Sequence, residues 1–179
     1  DRAVEIMQTK EELELVTIDL FEQLKKDNVV YAEIRFAPLL HTKKGLSSAQ
    51  VVKIISSITK ITSKKTGIEA SLILCTLRHF SSNQSMETVE LVHDFKGTNV
   101  VGFDIAADEA GYPLKNHIEA FEFANRKNIF CTAHAGEALG SESVLETIDK
   151  LMPIRIGHGV RSIEDPSLLE KIKEKEIHL

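Results

Sequence analysis

The feature that most narrows what this chain can fold into is a strict alternation of two kinds of segment. Short runs that are apolar almost throughout, rich in β-branched and aromatic residues, alternate with longer stretches whose apolar residues recur at helical spacing. The runs are NVVYAEIRFAPLL, EASLILCTL, NVVGFDIAA, NIFCTAH and PIRIGHG, and a closing IHL begins one more. Strands apolar on both faces belong to a parallel sheet covered by helices. The first run, halted by Pro38, predicts a strand of about eight residues. Thr9 and Glu12 then read as a capping box ahead of Leu13, Val16, Leu20, Phe21 and Leu24, which share one helix face. A second helix is expected from Ser47 or Ser48, with Val51, Ile54, Ile55 and Ile58 on its buried side and Gly67 at its end. Further helices are expected over 86–95, 114–126 and 141–152, and Asp165 and Pro166 open a last one as N-cap and first residue.

Such a β/α alternation leaves two architectures, a doubly wound sheet or an incomplete (β/α)8 barrel. No glycine-rich dinucleotide or phosphate-binding fingerprint follows the first strand, which weakens the doubly wound reading. Polar residues instead gather at the C-terminal ends of successive strands: Glu33 and Arg35, Arg78 and His79, Asp104 with Asp108 and Glu109, His134 and Glu137, and His158. Barrels collect their catalytic groups from several strands at that face, so the expectation is an α/β fold, a partial (β/α)8 barrel with a parallel sheet and outer helices. Residues 1–179 are read as one incomplete barrel domain. The chain starts without an initiator Met and stops as an apolar run begins, so both ends read as cuts.

A composition of 42% hydrophobic and 27% charged residues suits a globular core, and the net charge of −5 is dispersed rather than blocked. Neither nucleic acid nor an anionic membrane is an expected partner. With no targeting segment and no long apolar stretch, the expected compartment is the cytoplasm. Cys75 and Cys131 lie in apolar runs and read as buried reduced thiols.

The sharpest chemical signal is CTAHAGEALG, where a strand ends on His134 and Glu137 follows in a turn of small residues. A neutral imidazole at a strand end suits zinc, and a nearby carboxylate that does not bind the metal suits proton transfer. A core histidine beside a helix-capping glutamate is the bland alternative. His158 in RIGHGV, flanked by glycines on the next strand, is a second metal ligand, a group that steers a metal-bound hydroxide, or an incidental turn residue. Asp104, a carboxylate inside an apolar strand, must be paired if buried: it is a partner for a cation such as Arg35 or Arg78, or it is a site residue. The AADEAG turn beyond it is a pocket wall with backbone N–H groups free for a ligand. Glu33 and Arg35 point to one side of their strand and read as an ion-paired interior. His41, His79, His93 and His117 share no metal-binding spacing and read as surface or structural, and Ser81, Ser82 and Ser85 lack a nucleophile-elbow context.

In this order YAEIRFAP, LRHF, GFDIAADEAG, TAHAGE and RIGHG resemble the adenosine deaminases, within the wider adenosine and AMP deaminase group, over essentially the whole chain. The resemblance implies strands 2 to 6 of the barrel with the start of strand 7. It implies Zn2+ as cofactor, His134 as a zinc ligand, Glu137 as the acid that protonates purine N1, and His158 as the residue that orients the zinc-bound hydroxide. The implied reaction is hydrolysis of adenosine to inosine and ammonia, and the same deamination of 2′-deoxyadenosine, with a small purine nucleoside as partner; separately, the open edges of an incomplete parallel sheet make self-association of the chain an expectation. Ala107-Asp108-Glu109 stands where the family usually has Gly-Asp-Glu, so Ala107 offers its backbone N–H to the purine but adds a methyl. The family's HxH pair and adjacent aspartates are not in these residues, so the chain alone is expected to be inactive. Deamination of adenine or AMP, or a non-catalytic truncated barrel module, are the alternatives.

Overall fold

A computed structural model describes residues 2–179. Strands β1 (Tyr31–Phe36), β2 (Glu69–Leu77), β3 (Val100–Ala106), β4 (Phe130–Ala135) and β5 (Arg155–His158) form a five-stranded sheet in that order. Three adjacent pairs, β1/β2, β3/β4 and β4/β5, have parallel registers. Each strand is followed by helix, and the spatial order never departs from chain order. A doubly wound sheet would reverse at a switch point, so the fold class is that of a partial (β/α)8 barrel. The chain clusters into two compact units, one of residues up to Leu74 with Asp94–Val101, the other of Cys75–His93 with Gly102–Leu179.

The first unit holds α1 (Arg2–Glu5), α2 (Lys10–Lys26), β1 (Tyr31–Phe36), α3 (Ser48–Thr66) and the start of β2 (Glu69–Leu77). The expected capping box at Thr9 and Glu12 is present, and Gly67 closes α3. A second box joins Ser47 to Gln50 at the head of α3. Leu13 and Phe21 from α2, Val51, Val52 and Ile55 from α3, and Leu72 and Leu74 from β2 are buried and form the apolar interior. β1 is shorter than the apolar run suggests, because Pro38 opens a 3-10 turn, Pro38–His41, in place of further strand.

The second unit contains α4 (Ser82–Asp94, which ends at the border between the units), β3 (Val100–Ala106, which begins in the first), α5 (Ile118–Arg126), β4 (Phe130–Ala135), α6 (Ser141–Leu151), β5 (Arg155–His158) and α7 (Pro166–Glu174). Phe103 and Phe121 pack with their ring planes tilted by 45° and centroids 4.7 Å apart, and Ala135, Val144, Ile148, Ile156, Leu168 and Ile172 pack as one buried cluster. Asp165 caps α7 by accepting from the Ser167 N–H, with Pro166 in the first turn as expected. α4 starts four residues earlier than expected: the Ser81 hydroxyl accepts from the Gln84 N–H while the Gln84 side chain accepts from the Ser81 N–H, a capping box hidden behind LRHF. The single helix expected over 114–126 is divided into a 3-10 turn, Leu114–Asn116, and α5. The divider, His117, is fully buried with Nδ1 on Ser85 Oγ and Nε2 on the Arg78 carbonyl, a structural role like that of buried His41 on the Met7 carbonyl. The closing run makes a parallel bridge between Arg155 and His178. Both cysteines are buried thiols outside any disulfide, and burial pushes the Cys131 thiol up to about 12. No helix among the described residues is long and apolar enough to cross a membrane.

Candidate active site

His134, Glu137, His158 and Ala107 all belong to the second unit, on or just beyond the C-terminal ends of β3, β4 and β5. His134 is the penultimate residue of β4, its side chain 24% exposed, and Asp104 of β3 is fully buried beside it. His134 Nδ1 lies 3.2 Å from an Asp104 carboxylate oxygen and 3.1 Å from the Ile105 carbonyl oxygen. Both neighbours are acceptors, so Nδ1 carries a hydrogen, and in the neutral ring the lone pair is then on Nε2. A carboxylate on the rear nitrogen is how proteins fix the tautomer and orientation of a metal-binding imidazole. The Asp104 carboxylate also accepts from the Cys75 thiol at 3.6 Å. Asp104 thus contacts the His134 imidazole, and Arg78, one of the cations its sequence context suggests, donates from its two terminal nitrogens to the carbonyls of Tyr112 at 3.3 Å and His134 at 2.9 Å. Burial lowers the Arg78 pKa, partly opposed by the negative charge of Glu109.

Gly157 is the register partner of His134 on β5. A Cβ there would stand 2.7 Å from His134 Cδ2 and 2.8 Å from Nε2, so the imidazole occupies the space that any side chain at 157 would need. The RIGHG motif thus uses its first glycine for clearance. His158 follows, with φ of +69°, and its ring meets that of His134 edge-on at 5.4 Å between centroids. His158 Nε2 lies 3.3 Å from a carboxylate oxygen of Glu137, whose side chain is 66% exposed. The three residues singled out by TAHAGE and RIGHG are therefore adjacent, and two of them face an open side.

The turn that carries Glu137 starts at Gly136, in the left-handed region with φ of +72°. Its amides converge on one buried side chain, Glu109. The Glu109 carboxylate accepts from the N–H groups of Gly136 (2.7 Å), Glu137 (3.0 Å), Ala138 (2.8 Å) and Leu139 (3.2 Å), and from the Ser143 hydroxyl (2.6 Å). Burial alone would raise its pKa, but the Ser143 hydroxyl and the Gly136, Ala138 and Leu139 amides hold it at about 2. Asp108 acts locally instead, accepting from the Gly111 N–H at 3.0 Å and closing its own turn. The carboxylates of AADEAG are thus spoken for by backbone, a division that the motif alone does not disclose. Ala107 is exposed and has φ of +81°, a conformation that favours glycine.

Glu33 and Arg35 lie on β1, in the first unit, where Glu33 accepts from the Tyr31 hydroxyl at 2.9 Å. Among the described residues no three His, Cys, Asp or Glu side chains converge as a metal-binding group. The donor set at His134 nevertheless suits zinc: one imidazole with Nδ1 anchored, a lone pair on Nε2, and a glycine keeping its flank clear.

The family model described as adenosine deaminase matches residues 1–179. The adenosine deaminase of Clostridium acetobutylicum is 36% identical over 176 residues, covering 98% of this chain and 52% of that protein. The chain spans about half the length of the curated relatives it matches. Among solved structures, an adenine deaminase from Arthrobacter aurescens superposes with a TM-score of 0.85 at 24% identity, over 95% of this chain and 52% of that one. An amidohydrolase from Burkholderia ambifaria with bound Zn superposes with a TM-score of 0.88 at 23% identity, over 95% and 47%. These two likenesses establish the fold. The family match runs through every residue of the site just described, and the chain belongs to the adenosine deaminase family.

Proposed function

We propose that the full protein containing these residues hydrolytically deaminates adenosine and 2′-deoxyadenosine to inosine and 2′-deoxyinosine, with release of ammonia, in the cytoplasm, and that residues 1–179 are one part of a single metal-dependent barrel domain. The observation that carries this reading is the convergence of His134, Glu137 and His158 at the ends of β4 and β5, in a chain matched throughout by the adenosine deaminase family. His134 offers Nε2 to Zn2+, and Asp104 holds the imidazole in that tautomer. Bound zinc supplies a hydroxide nucleophile at neutral pH. His158 orients the attacking oxygen over C6 of the purine. Glu137 donates a proton to N1, relieving the negative charge that addition at C6 places on the ring, and the C6–N bond then breaks as the amino group takes the proton of the added hydroxyl, so that ammonia leaves and the C6 carbonyl forms. The N–H of Ala107 positions the base.

One imidazole does not retain catalytic zinc, so the other ligands come from parts of the protein outside these residues, and the isolated chain is inactive. The partner is a small purine nucleoside rather than nucleic acid or membrane, and the sheet edges of an incomplete barrel favour self-association of the isolated chain. The test is an assay of the full-length protein with adenosine, 2′-deoxyadenosine, adenine and AMP, alongside zinc analysis. Turnover of the two nucleosides with zinc bound supports the reading. Preference for adenine or AMP, or no turnover by a zinc-loaded protein, overturns it.

A further inference from the structure

Glu109 is not needed to bind substrate or metal in the scheme above, yet it is the most heavily hydrogen-bonded side chain in the site. It is 6% exposed and receives donors from four consecutive residues, 136–139, and from Ser143 at the start of α6. Peptide N–H groups that all point inward to one place require an acceptor there, because an unpaired buried donor is costly. A carboxylate is the one side chain that presents only acceptors, and the carboxyl stays ionised at any neutral pH. Glu137 sits inside this arc. Its own N–H is one of the bonds to Glu109, while its side chain projects away to His158 Nε2.

We propose that Glu109 is the positioning residue for Glu137: by gathering the amides of 136–139 it fixes the backbone from which the Glu137 carboxyl reaches the substrate. This rests on the deaminase reading for the purpose served, but the contact itself does not. Ser143 links the same carboxylate to α6, so the turn is fastened to the helix that follows it as well as to the loop after β3. Neutralising the carboxylate puts a donor where acceptors are needed, so Glu109→Gln must turn at least one amide away. A displacement of about 1 Å at an acid that transfers a proton costs on the order of 100-fold in rate.

The test uses the full-length protein in two arms. In the first, amide hydrogen exchange over 136–139 is compared between wild type and Glu109→Gln, with Ser143→Ala as a milder variant that removes one donor and keeps the carboxylate. Protection lost in Glu109→Gln and largely kept in Ser143→Ala supports the contact. Equal protection in wild type and Glu109→Gln overturns the proposal, whatever the protein's activity. In the second, kcat and KM for adenosine are measured in a double-mutant cycle with Glu137→Gln. A fall of about 100-fold in kcat for Glu109→Gln, with KM and zinc content within about twofold of wild type and no further fall in the Glu137→Gln background, is the expected result. An equal fall in both backgrounds assigns Glu109 a merely structural part and overturns the proposal. If Glu109→Gln does not fold, Glu109→Asp, which keeps the charge at a shorter reach, replaces it in both arms. A wild-type protein that deaminates no purine overturns the deaminase reading alone.

Discussion

Two loops of this molecule are held by one buried side chain each, and they differ in the chemistry chosen. In the first unit Gln8, 1% exposed, donates from Nε2 to the carbonyls of Val4 at 2.7 Å and Leu40 at 2.8 Å and accepts from the Lys43 N–H at 2.9 Å. In the second unit Glu109 only accepts. An amide suits the first loop because that loop offers both a carbonyl, that of Leu40, and an N–H, that of Lys43. A carboxylate suits the second because the turn offers nothing but donors. The neutral anchor fastens a connection after β1, whereas the charged one fastens the turn bearing the proposed acid. The charged anchor gives the stronger bonds and a dependence on pH that the neutral one lacks.

Three measurements on the full-length protein test that contrast. The largest effect is expected from removing the anchors. Glu109→Ala leaves four amides and a hydroxyl without their acceptor and should lower stability by about 3–4 kcal/mol in urea unfolding, against about 2 kcal/mol for Gln8→Ala. Equal losses would mean that charge adds nothing at the second loop. The next effect is in acid. The folded Glu109 carboxyl, at about 2, lies below its ordinary value of 4.5. A lowered folded pKa contributes stability that is fully present above the unfolded value and lost as pH falls through the folded one. The wild type should therefore weaken relative to Glu109→Gln between about pH 4.5 and 2, whereas Gln8→Ala should leave the acid limb unchanged. Parallel acid limbs for wild type and Glu109→Gln would refute the assignment. The smallest effect concerns Ala107, at the start of the turn that delivers Glu109. Its φ of +81° costs an alanine what it does not cost glycine, so Ala107→Gly should stabilise the protein by about 0.5–1 kcal/mol. A loss of stability would show that the methyl is packed rather than strained.

What was legible from residues alone was mostly local. Thr9 with Glu12, and Asp165 with Pro166, announce their helices because cap and first turn are neighbours in sequence. The parallel sheet follows from apolar runs too continuous for a half-exposed one. His134, Glu137 and His158 stand out because glycines and alanines surround them at strand ends. The rest depends on partners far along the chain. The break at His117 follows from hydrogen bonds to Ser85 and to the Arg78 carbonyl, 32 and 39 residues away. The part played by Glu109 is hidden in the same way, since its donors lie 27 to 34 residues later. Asp104 was recognisable as a buried carboxylate needing a partner, but its pairing with His134 depends on the neighbouring of β3 and β4.

The most direct test of the central claim is the turnover of adenosine by full-length Glu137→Gln, measured with its zinc content. Glu137 touches no metal in this account, and its proton transfer should be worth about 100- to 10,000-fold. The variant should keep wild-type zinc and folding and lose kcat by that factor. A zinc-loaded Glu137→Gln enzyme that deaminates adenosine at the wild-type rate would contradict it.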